Sequence, residues 1–322
     1  MTIIDDNYTI QVINLHPALP IDESRRSDPK YFASLDFMAE LKSTDLPGFR
    51  KAQISNIEYI NLWDDLAEDF RRLNEGRLEL LRPKYEGDDA NTQAHIIAEA
   101  IDIAGLFLEG KWTTMQQAAK GELNKAKQHP NFAALKSYLE GYKDEFLLRR
   151  AYELMRDYRS VETELLSTLL SQKQGKNLKG LSSSAKWEKI ERVYGDFYEI
   201  YGELAVIPTV INNLLARNNY DQFATTGFTL PAYLETDKAG RMKNFANNPG
   251  LYPLGGYYEA WLRNGTHHKT AQINKAKQKI VVKIGKGGAS DKVLSFIEYT
   301  AYCNELYTRC LIVLTLFHDI VA

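Results

Sequence analysis

One arginine and two histidines near the C-terminal end are the residues best suited to chemistry: Arg263-Asn264-Gly265-Thr266-His267-His268. A guanidinium presents a planar fork of donors that matches phosphate oxygens. An imidazole takes up and releases a proton near neutral pH. Together they can cut RNA without a metal ion. A neutral histidine takes the proton from a ribose 2′-OH, and that oxygen attacks the adjacent phosphorus. The arginine binds the non-bridging oxygens as charge builds on them, while Asn264 holds the phosphate or orients the imidazole.

The elements around the string decide which histidine acts. The sequence predicts a helix over Leu251 to Leu262, with Tyr257, Tyr258 and Trp261 on it. If that helix continued, residues four apart would share a face and His267 would sit beside Arg263. Gly265 is a poor helix former, and a helix ending there removes that preference. The following segment is rich in lysine: Lys269, Lys275, Lys277, Lys279, Lys283, Lys286 and Lys292, with Asp291 the one acid among them. The whole chain has a net charge of −2 and a pI near 6.3. A broad basic coat is therefore excluded, and any contact with phosphate backbones must come from such a local patch. Tyr257 and Tyr258 are candidates for stacking single-stranded bases; Trp261 reads better as core.

The string Leu262-Arg263-Asn264-Gly265-Thr266-His267-His268 resembles the Arg-Asn-x-x-x-His signature of HEPN domains, helical domains that include many metal-independent RNases of toxin, abortive-infection and antiviral systems. The signature joins an Arg to a His a few residues on, with a polar residue directly after the Arg. Here four residues separate Arg263 from His268, and Asn264 fills the polar position. Gly265 departs from the small apolar residue often found there. The resemblance covers the last third of the chain. It implies a helical bundle, His268 as the base with His267 as the alternative, and an endoribonuclease that leaves 2′,3′-cyclic phosphate and 5′-OH ends. No cofactor or metal is implied. It also implies a homodimer with the motif near its two-fold axis, and a possible antitoxin or defence-system partner. A non-catalytic relative that binds nucleotide or a protein partner with the same residues is the alternative.

Composition sets the outer bounds. Hydrophobic residues make up 44% and charged residues 25% of the 322, a balance that supports a sizeable core. Cys303 and Cys310 fall on one helix about two turns, roughly 10 Å, apart, too far to bridge within it. Buried thiols in a reducing cytoplasm are expected. Neither a signal peptide nor a membrane span is expected: the apolar run Leu311 to Phe317 falls well short of the roughly 20 residues a span needs. There is no His-Glu-x-x-His, no zinc-spaced Cys/His set and no Gly-x-Ser-x-Gly elbow, and Gly285-Lys-Gly-Gly reads as a turn. The acid pairs Asp64-Asp65 and Asp88-Asp89 read as solvated surface.

The fold class that follows is mainly α: a helical bundle with a short β-hairpin insertion before the last helix. Apolar periodicity marks an amphipathic helix at Ile54–Leu73, the Ala/Ile-rich stretch Ala94–Leu108 reads as a buried helix, and Thr113–Lys127 is more polar. A long helix from Pro130 to about Leu170 and another from Ala185 to Arg217 are joined by the Gly/Ser/Lys-rich stretch 172–184. Ser184 is the expected N-cap of the second, and Pro208 is expected to kink or restart it. A short helix is expected around Tyr233 to Phe245. Ile280-Val-Val-Lys-Ile reads as a strand or hairpin ended by glycines. Ser290 is the expected cap of a final apolar helix reaching about Val321. A mostly helical region of unassigned role over 1–130 and a HEPN-like bundle over 131–322 is the expected division.

Overall fold

The computed structural model describes residues 46–85, 88–175, 177–178, 181–183, 185–267, 270–285 and 289–322, with three strand segments nearer the N-terminus. His268, Lys269, Lys286 and the expected cap Ser184 lie outside the described residues. The segments are β1 (Thr2–Ile3), paired antiparallel with β2 (Gln11–Val12), and β3 (Ile21–Asp22). Five helical stretches follow: α1 (Leu46–Asn74), α2 (Asp89–Phe107), α3 (Thr113–Lys127), α4 (Phe132–Glu140) and α5 (Ala151–Lys173). β4 (Leu181–Ser182) pairs with β3, and α6 (Trp187–Ile190), α7 (Val193–Leu204) and α8 (Val206–Arg217) come next. The chain then passes through α9 (Leu230–Glu235), a 3-10 helix (Lys238–Phe245) and α10 (Ala260–His267). It closes with β5 (Gln272–Asn274), β6 (Lys279–Ile284), β7 (Ser290–Ser295) and α11 (Phe296–Val321).

α11 is the axis of the bundle. Almost every side chain from Phe296 to Val321 is buried, and α2, α3, α4, α5, α7 and α8 all pack on it. A helix covered all round must satisfy its polar groups internally. Thr300 meets Thr168 at 2.7 Å, and Asn304 links the Tyr158 hydroxyl (3.2 Å) to Gln172 Oε1 (3.0 Å). Glu305 sits in a nest of donors from Lys111, Arg309, Gln172 and Trp112. Both cysteines are buried thiols, and burial pushes both thiol pKa values up. One hydrophobic core runs from Tyr59 to Val321, joining α1 and α2 to the later helices. Among the described residues no helix is long and apolar enough to cross a membrane.

Several boundaries differ from the sequence expectation. The long helix from 130 breaks after Gly141 and resumes through a π-helical turn, Asp144–Arg150. The second long helix begins at Trp187 and divides twice, at the turn 191–192 and at Ala205, where Pro208 in the first turn of α8 cannot donate to the preceding turn. The helix expected over Leu251–Leu262 does not form. Pro253 and Gly255 lie in a short 3-10 turn, Tyr257 takes φ +62°, and α10 starts only at Ala260. Ser290 is not a helix cap: it opens β7, which adds a third strand to the hairpin in the order β5-β6-β7, with Asp291 opposite Lys283. Ser295 caps α11 instead, in a reciprocal box with Glu298.

Candidate functional site

α10 is held between two partners. On one side it packs on α7, and on the other it meets β6. Gly265 makes the second contact possible, since a Cβ there would lie 2.5 Å from a Val282 methyl. The expected helix break at Gly265 therefore does not occur; the glycine serves a close approach, and the helix runs on to His267. Backbone positions 263 and 267 are thus one turn apart on a continuous helix.

Arg263 reaches the α7 side. Its Nε and Nη2 both approach Oε1 of Glu199, at 2.8 and 2.7 Å, and its Nη1 donates to Asn264 Oδ1 at 3.1 Å. The other Glu199 oxygen accepts from Lys238 Nζ at 2.8 Å. Lys238 also donates to Glu203 Oε1 at 3.1 Å, and Glu203 Oε2 faces Arg150 Nε at 2.7 Å, an ion-pair contact whose angle falls short of a hydrogen bond. Arg150 belongs to the π-helical turn and also contacts Glu145 and Glu153. A chain of alternating charge thus runs from the motif to the far end of α7. Burial alone would raise the Glu199 carboxyl, but hydrogen bonds from Lys238 and Arg263, with their charges, hold it below the usual carboxylate range. It is ionised at neutral pH.

A cavity of about 410 Å³ opens here, lined by Tyr198, Glu199, Glu235, Thr236, Asp237, Lys238, Arg241, Arg263 and Asn264 among others. Arg241 is 6% exposed. Its guanidinium donates to the carbonyls of Gly202 (2.7 Å), Leu234 (2.6 Å) and Thr236 (3.3 Å), which fastens the 3-10 helix to α7. Tyr198 lies flat on Tyr258, with ring centroids 3.8 Å apart, and burial raises both phenol pKa values. Gly202 leaves room for the Tyr258 hydroxyl: a Cβ there would be 2.5 Å from it.

The structure gathers some of the expected residues and separates others. Arg263 and Asn264 line the cavity together. Tyr258 is already stacked within the protein, and Tyr257 has its ring edge on Tyr302 with Arg309 at 4.8 Å from its centre. Lys275 and Lys277 in the β5–β6 turn and Lys279 and Lys283 on β6 are exposed. Arg263 and Gly265 lie about 200° apart around α10, so the sheet contact and the Glu199 contact leave from opposite sides of the helix. Two of the lysines face acids: Lys275 pairs with Glu188 of α6, and Lys283 stands opposite Asp291. Lys292 extends over the Trp261 ring at 4.4 Å. Of the acid pairs, Asp88 caps α2, while Asp64 and Asp89 pair with Arg159 and Arg82. No group of three or more His, Cys, Asp or Glu side chains among the described residues is arranged to hold a metal ion.

The chain matches no family model, no curated protein and no solved structure.

Glu199, Lys238, Arg241 and Tyr198 were not legible as site residues. Glu199 and Glu203 carry a faint signal, being two acids four apart on a largely apolar helix. Nothing in the sequence ties them to Lys238 or Arg263.

Proposed function

We propose that the protein is a metal-independent endoribonuclease of the toxin or phage-defence kind. It acts in the cytoplasm on single-stranded RNA and leaves 2′,3′-cyclic phosphate and 5′-OH ends. The observation that carries this reading is the position of Arg263 and Asn264 on the wall of a cavity that also holds Lys238 and Arg241, one turn before position 267. Arg263 binds the scissile phosphate and offsets its growing charge. A neutral histidine of the His267–His268 pair takes the 2′-OH proton, that oxygen bonds to phosphorus, and the 5′-oxygen leaves with a proton from water. The HEPN resemblance assigns the base to His268, and helical spacing supports His267. A homodimer and an antitoxin-like partner rest on the resemblance alone, because α11 spends its apolar surface within one chain.

The grip of Glu199 on Arg263 favours a second reading, in which the site binds nucleotide or RNA phosphate without cutting. The deciding experiment is cleavage of a labelled single-stranded RNA in EDTA. The wild type is expected to cut, with cyclic-phosphate ends, and Arg263→Ala to abolish cutting. His267→Ala and His268→Ala identify the base by which one loses activity. RNA bound in a salt-sensitive way but never cut selects the binding reading. Cutting that survives Arg263→Ala refutes both roles for that residue.

A further inference from the structure

The edge of Arg263 best suited to a phosphate is occupied. A guanidinium binds oxyanions through Nε and a neighbouring Nη, and both of these atoms now face one oxygen of Glu199. The pairing is not the parallel two-oxygen fork that makes arginine–carboxylate contacts strong. Glu199 divides itself, giving one oxygen to Arg263 and the other to Lys238. The Arg263 and Glu199 side chains remain 25% and 33% exposed, so water and a ligand can reach the contact. Lys238 approaches Glu199 twice, at the carboxylate and at its backbone carbonyl 3.2 Å away.

We propose that Glu199 is a displaceable counter-ion: it occupies the Arg263 edge that an RNA phosphodiester takes, and on binding it passes wholly to Lys238. This deepens the phosphate-binding reading above and rests on it. An ionised carboxylate beside the arginine lowers affinity for every phosphate and rejects weak anions. A phosphodiester bound in the cavity by several contacts at once outcompetes it. When Glu199 leaves Arg263 it does not become an unpaired partly buried charge, because Lys238 is already within hydrogen-bond distance. The exchange therefore needs only a side-chain movement.

The test is binding of a fluorescent, fully 2′-O-methylated RNA decamer, which cannot be cut, measured by anisotropy on the full chain. Glu199→Gln keeps the shape and removes the charge, and is expected to bind about two- to fivefold tighter, the scale of one partly exposed ion pair. Arg263→Ala is expected to bind more weakly, and Glu199→Gln added to it should bring no gain. Glu199→Ser, read alongside thermal unfolding, gives the same sign should the glutamine variant fold poorly. Weaker or unchanged binding by both Glu199 variants, with Arg263→Ala still weakening it, means that Glu199 aligns the arginine, and the displacement idea falls alone. If Arg263→Ala leaves binding unchanged, the phosphate-binding reading of this site falls, and the proposal with it.

Discussion

Alanine in place of Gly265 is the most direct probe of how the arginine is positioned. The new Cβ would lie 2.5 and 2.7 Å from the two Val282 methyl carbons and 3.2 Å from the Val282 Cβ. Val282 is 2% exposed and β-branched, so it cannot swing away as a long flexible side chain would. Alanine gains about 1 kcal/mol over glycine within a helix. Overpacking a stiff buried neighbour costs about 1–3 kcal/mol. The expected net effect is destabilisation of up to about 2 kcal/mol, where helix propensity alone predicts a gain of about 1 kcal/mol. Val282→Ala alone loses two buried methyl groups, about 2 kcal/mol. In the double variant the methyl introduced by Gly265→Ala enters the space those groups vacate. The two changes should therefore couple by about 1–3 kcal/mol, leaving the double variant more stable than the sum of its parts. Urea unfolding at fixed pH, with the slope checked for constancy, measures all four proteins. A Gly265→Ala chain about 1 kcal/mol more stable than the wild type, or strict additivity with Val282→Ala, refutes the close-approach account. Because Arg263 sits two residues away on the same helix, the single variant should also weaken binding of the 2′-O-methyl decamer, and Val282→Ala should restore part of it.

Buried charges give two further expected outcomes. The Lys173 amine is buried against the Phe107 ring with no hydrogen-bond partner among the described residues, and desolvation lowers its pKa from 10.5 to about 8. The folded chain loses this proton before the unfolded chain does, so the contribution to stability rises as pH increases from about 8 to 10.5, by up to about 3 kcal/mol. Lys173→Met should be more stable than the wild type at pH 7 and lose that rise; a flat wild-type profile, after subtraction of the Met variant, contradicts it. Glu305 is 2% exposed; burial opposes its charge, but Arg309 and Lys111 hold its pKa below 4.5. Glu305→Ala strands a buried arginine and should cost about 3–5 kcal/mol at pH 7, by chemical denaturation. A loss under 1 kcal/mol would mean that Arg309 finds other partners. Since the folded carboxyl titrates below its ordinary value, the contribution of Glu305 is present above about pH 4.5 and lost as pH falls through the lowered value.

Residue order alone was enough for the features that local rules control. The 3.6-residue apolar period marked the helices around Trp63, Leu154 and Phe197. The β-branched run at 280–284 is a strand, and the final apolar helix is buried. Local rules failed where a neighbour outvoted them. Ser290 looks like a cap because an apolar helix follows, but β6 offers six residues of pairing, and the cap moves to Ser295. Gly265 looks like a helix end, but Val282 needs the missing side chain and the helix continues. The motif Arg263-Asn264 was readable because it is contiguous. Its counter-ion Glu199 lies 64 residues earlier, and Lys238 and Arg150 reach the same network from other elements. Only the packing of α10 on α7 decides that pairing. Charge acts over a few ångströms in space, and a sequence records neighbours along the chain, not across it.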